Sequence, residues 1–175
     1  TYAEEQKALL NGVRWDDLHM LAVDDDEVIR EYFLNIAERF KFNCDVAADG
    51  AAALKLVETE NRYDIFFIDW KMPDLNGIEL AGMIRDKGVD NAVIIMIASA
   101  EWWQVATGAR AAGVDKFVPK PLFASVIIDM IGECLGAEVQ LEDLANKSES
   151  PDFSGYHILL AEDNEINREI VAALL

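Results

Sequence analysis

The stretch that decides the fold is Asp64-Ile65-Phe66-Phe67-Ile68-Asp69-Trp70-Lys71-Met72-Pro73-Asp74. Its four consecutive β-branched or aromatic residues predict a short strand that is buried on both faces, as in the centre of a parallel sheet. Asp69 follows at the carboxyl end of this strand, and Pro73 prevents simple continuation of a strand or helix. Ligands of open α/β sheets bind at the carboxyl ends of the strands. Asp69 is therefore either a site residue or an ordinary turn residue, and the remaining sequence decides between these interpretations.

Four further apolar runs alternate with helical patterns around this strand. The runs predict strands at His19–Val23, Cys44–Ala48, Val93–Ile97 and Lys116–Val118. Apolar residues at helical spacing predict one helix directly after Asp26 and four others at Gly50–Glu60, Gly77–Lys87, Trp102–Ala112 and Leu122–Leu135. Strands that alternate with helices are joined by right-handed crossovers into a parallel sheet. The sequence therefore predicts an α/β, doubly wound fold.

Composition and charge restrict the possible functions. The chain has 175 residues, of which 52% are hydrophobic, and a formal net charge of −18. This charge argues against nucleic-acid or anionic-membrane binding, and no apolar run reaches the length of a membrane span. Cys44 and Cys134 are flanked by apolar residues, which favours reduced core thiols over a disulfide or a metal site. We expect a cytoplasmic protein that contacts neither nucleic acid nor membrane directly.

The chain divides into four segments. We predict an N-terminal linker or helix at 1–16, a main domain at 17–136, a polar linker at 137–154 and a truncated second domain at 155–175. The last segment repeats the first strand and helix, since His157 to Glu165 resembles His19 to Glu27 at a constant offset of 138 residues. About twenty residues do not form a core alone. We expect this segment to dock on the main domain or on another copy, giving a dimer; the alternative is a disordered tail.

Polar residues follow the predicted strands at one edge of the sheet. They are Asp24 and Asp25, Asp69, Ser99 and Lys120, and the carboxyl ends of parallel strands lie side by side. Clustered carboxylates raise one another's pKa unless a cation is present, and Mg²⁺ prefers one or two carboxylates together with water. A carboxylate is also a possible nucleophile that forms an aspartyl phosphate, and phosphoryl transfer depends mainly on positioning and charge neutralisation. Asp69 would attack, Asp24 and Asp25 would hold the metal, and Lys120 and Ser99 would receive phosphoryl oxygens.

Each of these signals is weak alone, but their order and spacing are specific. The motifs are Val23-Asp24-Asp25, Asp69-x-x-Met72-Pro73-x-x-x-Gly77, Ala98-Ser99-Ala100 and Lys120-Pro121. Over residues 17–136 they resemble the receiver domain of response regulators. The resemblance implies a flavodoxin-like (βα)5 sheet of order 2-1-3-4-5, with a histidine kinase or histidine phosphotransfer domain as partner. It also implies Asp69 as phosphoacceptor, a cis peptide before Pro121, and Mg²⁺ held by Asp25, Asp69 and the backbone carbonyl of Lys71.

Four residues depart from the common pattern or add to it. Phe117 stands where many receivers carry a switch Tyr or another aromatic residue, so the resemblance implies Ser99 and Phe117 as switch residues without a hydroxyl-based rotamer switch. Lys71 places a charge two residues after the acceptor, where it can alter the lifetime of the phosphoryl group. Trp102 and Trp103 are adjacent and cannot both face one core, so at least one of them is a candidate partner contact.

The tail favours one parent protein. Residues 162–164 and 166–168 (Glu-Asp-Asn and Ile-Asn-Arg) resemble the opening of receivers in hybrid sensor histidine kinases, which can be membrane-anchored. The chain itself carries no ATP-lid motif and no phosphoacceptor His region, so we expect no kinase core in it. One alternative is a stand-alone response regulator whose output domain is removed. A phosphatase with an aspartyl nucleophile is disfavoured because such enzymes carry a second Asp two residues after the nucleophile, where this chain has Lys71. A phosphorylation-independent interaction module is disfavoured because Asp25, Asp69 and Lys120 are all present.

Overall fold

The computed structural model of the chain describes residues 15–60, 62–98 and 106–136. These residues contain five strands: β1 (His19–Val23), β2 (Asn43–Ala47), β3 (Ile65–Asp69), β4 (Val93–Ala98) and β5 (Lys116–Pro119). All of them pair in parallel, in the order β2-β1-β3-β4-β5. The predicted α/β, flavodoxin-like fold of order 2-1-3-4-5 is therefore confirmed.

The helices lie between the strands, close to the predicted positions. They are α1 (Glu27–Phe40), α2 (Gly50–Glu60), α3 (Gly77–Asp86), α4 (Ala106–Ala111) and α5 (Ala124–Cys134). The predicted start of the fourth helix at Trp102 lies outside the described residues. Gly113, which was expected to end that helix, has a φ of +92°, in the region that favours glycine. Within the described part of the chain, none of the helices combines the length and hydrophobicity that crossing a bilayer requires.

Strand β2 begins one residue earlier than its apolar pattern predicts. Asn43 already pairs with His19 of β1, and its backbone N–H donates to the carbonyl of Leu18 at 3.0 Å. At the other end, Ala47 pairs with Val23, the last residue of β1. The bounds of this edge strand are therefore set by its pairing with β1, while the apolar pattern marks only the residues that face the core.

The sheet separates two apolar layers because successive side chains of a strand point to opposite faces. Helices α1 and α5 cover one face with residues that include Phe33, Ile36, Phe40, Ile127, Ile128 and Ile131. Helices α2, α3 and α4 cover the other face with residues that include Ala53, Val57, Leu80, Ala81, Ile84 and Ala109. All five residues of β3 are buried. The strand that carries Asp69 is therefore the centre of a three-layer α/β/α domain.

Trp15 extends the core beyond the predicted start of the domain. It lies in a 3-10 turn, Trp15–Asp17, and is only 6% exposed. Its ring centre lies 6.0 Å from those of both Phe40 and Phe42. Aromatic pairs of this kind contribute about 0.5–1.5 kcal/mol beyond the burial of their area. A residue that the sequence analysis placed in a linker thus belongs to the α1 face of the core.

The two cysteines are free thiols, as their apolar surroundings predict. Cys44 on β2 and Cys134 at the end of α5 are both partly buried and pack against the α1/α5 layer. Burial, together with the neighbouring charge of Asp45, raises the pKa of the Cys44 thiol to about 12. Cys44 is therefore a protonated core residue at neutral pH and a poor nucleophile.

Candidate functional site

Three carboxylates meet at the carboxyl edge of the sheet. Asp24 and Asp25 follow β1, and Asp69 ends β3. One oxygen atom from each side chain can be chosen so that all three lie within 4.8 Å of one another. Asp24 and Asp69 are 0% and 5% exposed, whereas Asp25 is exposed. The described residues contain no second cluster of three or more potential metal ligands.

Lys120 adds a cation to this cluster from the segment after β5. Its Nζ lies 3.0 Å from Oδ1 of Asp69 and 3.4 Å from Oδ2 of Asp24. The backbone N–H of Lys120 donates to the carbonyl of Ala98 at 2.9 Å, and the peptide bond to Pro121 is cis, as the family resemblance implies. The lysine is thus fixed next to β4 with its side chain directed across the sheet edge toward two carboxylates.

The loop between β1 and α1 holds Asp24 in place. Oδ1 of Asp24 accepts a hydrogen bond of 2.9 Å from the backbone N–H of Asp26, and Asp26 in turn caps α1 by accepting from the N–H of Val28 at 2.9 Å. The Nη1 atom of Arg30 donates to the backbone carbonyls of Asp24 and Asp25, at 2.8 Å each. Asp24 is therefore bound through both its side chain and its backbone, and Asp25 is bound through its backbone carbonyl.

The charges of the site are not balanced. Burial raises the pKa of the Asp69 carboxyl; the hydrogen bond and charge of Lys120 lower it, and the charges of Asp24 and Asp25 raise it again, so that the pKa stays above its usual range. Burial lowers the pKa of Lys120, but the hydrogen bond and charge of Asp69, together with Asp24, outweigh burial and leave it raised. One lysine faces three carboxylates, so the site retains negative charge that a hard divalent cation would neutralise.

Helix α3 begins against the backbone of Asp69. The N–H of Gly77 donates to the carbonyl of Trp70 at 3.0 Å, and the N–H of Trp70 donates to Ile97 at 2.9 Å. A Cβ atom at Gly77 would overlap the backbone oxygen of Asp69 and lie 2.9 Å from Sδ of Met96. The sequence identifies Gly77 only as part of a motif. The close approach of α3 to the backbone of Asp69 explains why this position requires glycine.

Of the remaining predicted site residues, Lys71 and Phe117 have side-chain contacts of their own, and the metal contact predicted for the backbone carbonyl of Lys71 stays a prediction. Lys71 is exposed, and its Nζ lies 5.1 Å from the centre of the Trp70 ring, a cation–π distance. Phe117 on β5 is partly buried and packs against the layer of α2, α3 and α4. Ser99, Trp102 and Trp103 lie outside the described residues, so their roles stay predictions.

Comparison with known proteins agrees with this geometry. Residues 20–132 match the family described as the response regulator receiver domain. The chain belongs to this family. The receiver is 35% identical over 116 residues to the transcriptional regulatory protein CseB of Streptomyces coelicolor, which covers 66% of this chain and 48% of that protein. It is 32% identical over 104 residues to the response regulator MprA of Mycobacterium leprae, covering 59% and 45% of the two chains.

Solved receivers share the fold. The chemotaxis protein CheY4 of Vibrio cholerae is 25% identical, with a TM-score of 0.61, over 67% of this chain and 98% of that chain. The receiver domain of the Francisella response regulator 1452 is 28% identical, with a TM-score of 0.61, over 68% and 97%. This chain spans about half the length of the curated relatives that it matches, CseB and MprA. The similarity therefore covers the receiver and not the remainder of those proteins.

Proposed function

We propose that this receiver accepts a phosphoryl group on Asp69, in the presence of Mg²⁺, from a histidine kinase or a histidine phosphotransfer domain. The observation that carries the proposal is the meeting of Asp24, Asp25 and Asp69 with Lys120, whose Nζ lies 3.0 Å from Asp69. Membership of the receiver family supports a partner of this kind. The domain would act as one step of a two-component phosphorelay.

The donor set fits Mg²⁺. All three side chains offer carboxylate oxygens, the hard ligands that this ion prefers. Both oxygens of Asp24 already have partners, in Asp26 and Lys120, so we assign direct contact chiefly to Asp25 and Asp69, with the backbone carbonyl of Lys71, and an orienting role to Asp24. When bound, the ion would neutralise charge on the phosphoryl group and on the acceptor.

The side chains of the site would divide the transfer between them. An oxygen of Asp69 forms the new bond to phosphorus while the bond between phosphorus and the donor imidazole nitrogen breaks, and the nitrogen keeps the electron pair. Asp69 loses its carboxylate charge when it is phosphorylated, and Lys120 would then pair with a phosphoryl oxygen instead. We assign Ser99 to a second phosphoryl oxygen, on the strength of its position after β4 in the sequence.

Labelling of the full chain with a small phosphodonor tests the proposal. Acetyl phosphate with Mg²⁺ should add the mass of one phosphoryl group, and chelation of the metal should abolish the addition. Asp69→Asn should remove it, whereas Asp90→Asn, at an exposed position before β4, should not. Undiminished labelling of Asp69→Asn would show that the acceptor is another residue.

We further infer that the receiver belongs to a hybrid sensor histidine kinase. The repeat of its opening at residues 157–168 supports a second receiver downstream. The names of the curated relatives, a transcriptional regulatory protein and a response regulator, support the alternative of a stand-alone regulator. The sequence of the parent gene decides between them: a counterpart of Asp69 downstream and a kinase core upstream support the hybrid kinase, and a DNA-binding output domain supports the alternative.

A further inference from the structure

Arg30 reaches back from α1 to the loop that carries two of the acidic residues. It is the fourth residue of the helix and is partly buried. A single nitrogen, Nη1, donates to the carbonyl oxygens of Asp24 and Asp25, both at 2.8 Å. The side chain makes these two contacts to backbone oxygens, so its charge is held against the peptides that carry the acidic residues.

We propose that Arg30 is a positioning residue for the acidic site, which fixes the peptides of residues 24–26 so that Asp24 keeps its orientation and the carboxylate of Asp25 is set for metal binding. The proposal rests on the proposed Mg²⁺-dependent function. Arg30 is not itself a ligand or a catalytic residue, because its contacts are to backbone carbonyls and not to the carboxylates.

Peptide planarity carries the effect of Arg30 to the carboxylates. The carbonyl of Asp25 and the N–H of Asp26 belong to one planar trans peptide and point in opposite directions. When Arg30 binds that carbonyl, the N–H is aimed the other way, where it donates to Oδ1 of Asp24 at 2.9 Å. The other oxygen of Asp24 faces Lys120 at 3.4 Å. Loss of the Arg30 contact would free this peptide to rotate, and the orientation of Asp24 would be lost with it.

The second contact of Arg30 acts on the neighbouring peptide. The carbonyl of Asp24 shares a plane with the N–H of Asp25, so the contact at 2.8 Å fixes the direction in which the Asp25 backbone leaves β1. Asp25 is the exposed member of the acidic cluster. Its carboxylate therefore depends on the backbone for its position.

The internal repeat of the sequence keeps the same arrangement of residue types. Arg168 follows Asp163 by five residues, as Arg30 follows Asp25. The acidic residues on either side of Asp25 are not identical in the repeat. Asp24 corresponds to Glu162, and Asp26 corresponds to Asn164, which is also a favoured helix-capping residue. The arginine occurs at the same spacing in both copies, together with Glu27 and Glu31, while Asp24 and Asp26 are replaced, which is consistent with a backbone-positioning role.

The positive charge of Arg30 and its backbone contacts have opposite expected effects on Mg²⁺ affinity. A guanidinium close to a cation site disfavours the cation through Coulomb repulsion, so removing the charge alone would tighten Mg²⁺ binding. Removing the backbone contacts would instead disorder the ligands and weaken binding, as loss of groups that orient metal ligands does, by about 10–100-fold. The two effects therefore predict opposite changes in affinity.

Calorimetric titration of Mg²⁺ into the full chain separates these effects. Arg30→Met removes the donors and the charge and keeps an unbranched side chain; we expect its Mg²⁺ dissociation constant to rise by about 10–100-fold. The matched control is Arg39→Met in the last turn of the same helix, which should bind Mg²⁺ like the parent. In the metal-free protein, amide exchange at Asp26 should be faster in Arg30→Met than in the parent and in the control, because the peptide that carries this N–H is no longer fixed.

The outcomes distinguish this inference from the function on which it rests. If Arg30→Met binds Mg²⁺ as tightly as the parent, or more tightly, the positioning role is wrong and the proposed function stands. If the parent itself binds no Mg²⁺, both are wrong. Should Arg30→Met fail to fold, Arg30→Gln keeps a donor too short to reach both carbonyls, and the same two measurements on it decide the question in the same way.

Discussion

The ammonium group of Lys120 lies 3.0 Å from the carboxylate of Asp69 and joins the segment after β5 to the end of β3. This ion pair lowers the pKa of Asp69, while burial and the neighbouring carboxylates raise it. Lys120 therefore favours the ionised form of the proposed nucleophile in a site that otherwise disfavours that form. The same contact would place the ammonium next to a phosphoryl oxygen once Asp69 is modified.

Lys120→Met should separate these two contributions. We expect the pKa of Asp69, measured by carbon NMR of the metal-free protein, to rise further because Lys120, which lowers it, is removed. We also expect phosphorylation by acetyl phosphate to slow by roughly a hundredfold or more, the typical effect of losing one positioned charge donor. Lys116→Met is the matched control, since it breaks the ion pair of Lys116 with Glu133, at 2.6 Å, away from the site. Equal rates in the two variants would contradict a role for Lys120.

The contribution of Asp69 to the pH dependence of stability should be opposite in sign to that of an ordinary salt-bridged acid, whose pKa is lowered by folding. Because its pKa is raised in the folded state, the ionised carboxylate destabilises the fold above that pKa, and the penalty disappears as the pH falls below the unfolded value near 3.8. Asp69→Asn should therefore raise the melting temperature of the metal-free protein at neutral pH. The gain should shrink toward pH 3 and in Mg²⁺. A lower melting temperature for Asp69→Asn in metal-free buffer at pH 7 would show that the Lys120 contact dominates instead.

The sequence predicted the central strand and the acidic cluster because both depend on short-range patterns. The run Ile65 to Ile68 is apolar enough to identify a buried strand, and Asp69 follows it directly. The meeting of Asp69 with Lys120 followed from the rule that the carboxyl ends of parallel strands share one edge. Nothing beyond the order of the strands was needed to bring these residues together.

The contacts of Arg30 and Trp15 could not be predicted in this way. Arg30 binds two backbone carbonyls, and backbone carbonyls are the same at every position of a sequence. The only available signal was Arg168 in the repeat, which marks the position and not the contact. Trp15 is buried because Phe40 and Phe42 lie beside it in three dimensions. Its surrounding residues carry no periodic pattern that predicts this packing.

Binding of Mg²⁺ should stabilise the receiver, because the ion binds the folded cluster and relieves its repulsion. At a concentration about 100 times the dissociation constant, the free energy of unfolding should rise by roughly 2.7 kcal/mol. Asp25→Ala should lose most of this gain, and Asp90→Ala should keep it. Thermal melts with and without millimolar Mg²⁺ measure the difference. A parent protein whose melting temperature does not respond to Mg²⁺ would count against the metal site.

The start of α3 lies so close to the backbone of Asp69 that there is no room for a side chain at Gly77. Gly77→Ala places a methyl group against the backbone oxygen of Asp69 and the sulfur of Met96. A backbone oxygen in the central strand cannot move away as a flexible side chain can, so either the strand end or the start of α3 has to shift. We expect a loss of about 1–3 kcal/mol in the free energy of unfolding, together with slower phosphorylation, because the displaced backbone belongs to the acceptor residue.

Gly82→Ala on the same helix is the matched control for Gly77→Ala. Among the described residues, a Cβ atom at Gly82 would meet the Cβ of Ala112 at 4.0 Å, which is an ordinary contact. Alanine is favoured over glycine inside a helix, so this variant should gain about 0.5–1 kcal/mol and be phosphorylated like the parent. Denaturant unfolding and acetyl phosphate labelling of both variants give the comparison. If Gly77→Ala is as stable and as reactive as Gly82→Ala, the close approach of α3 does not position Asp69.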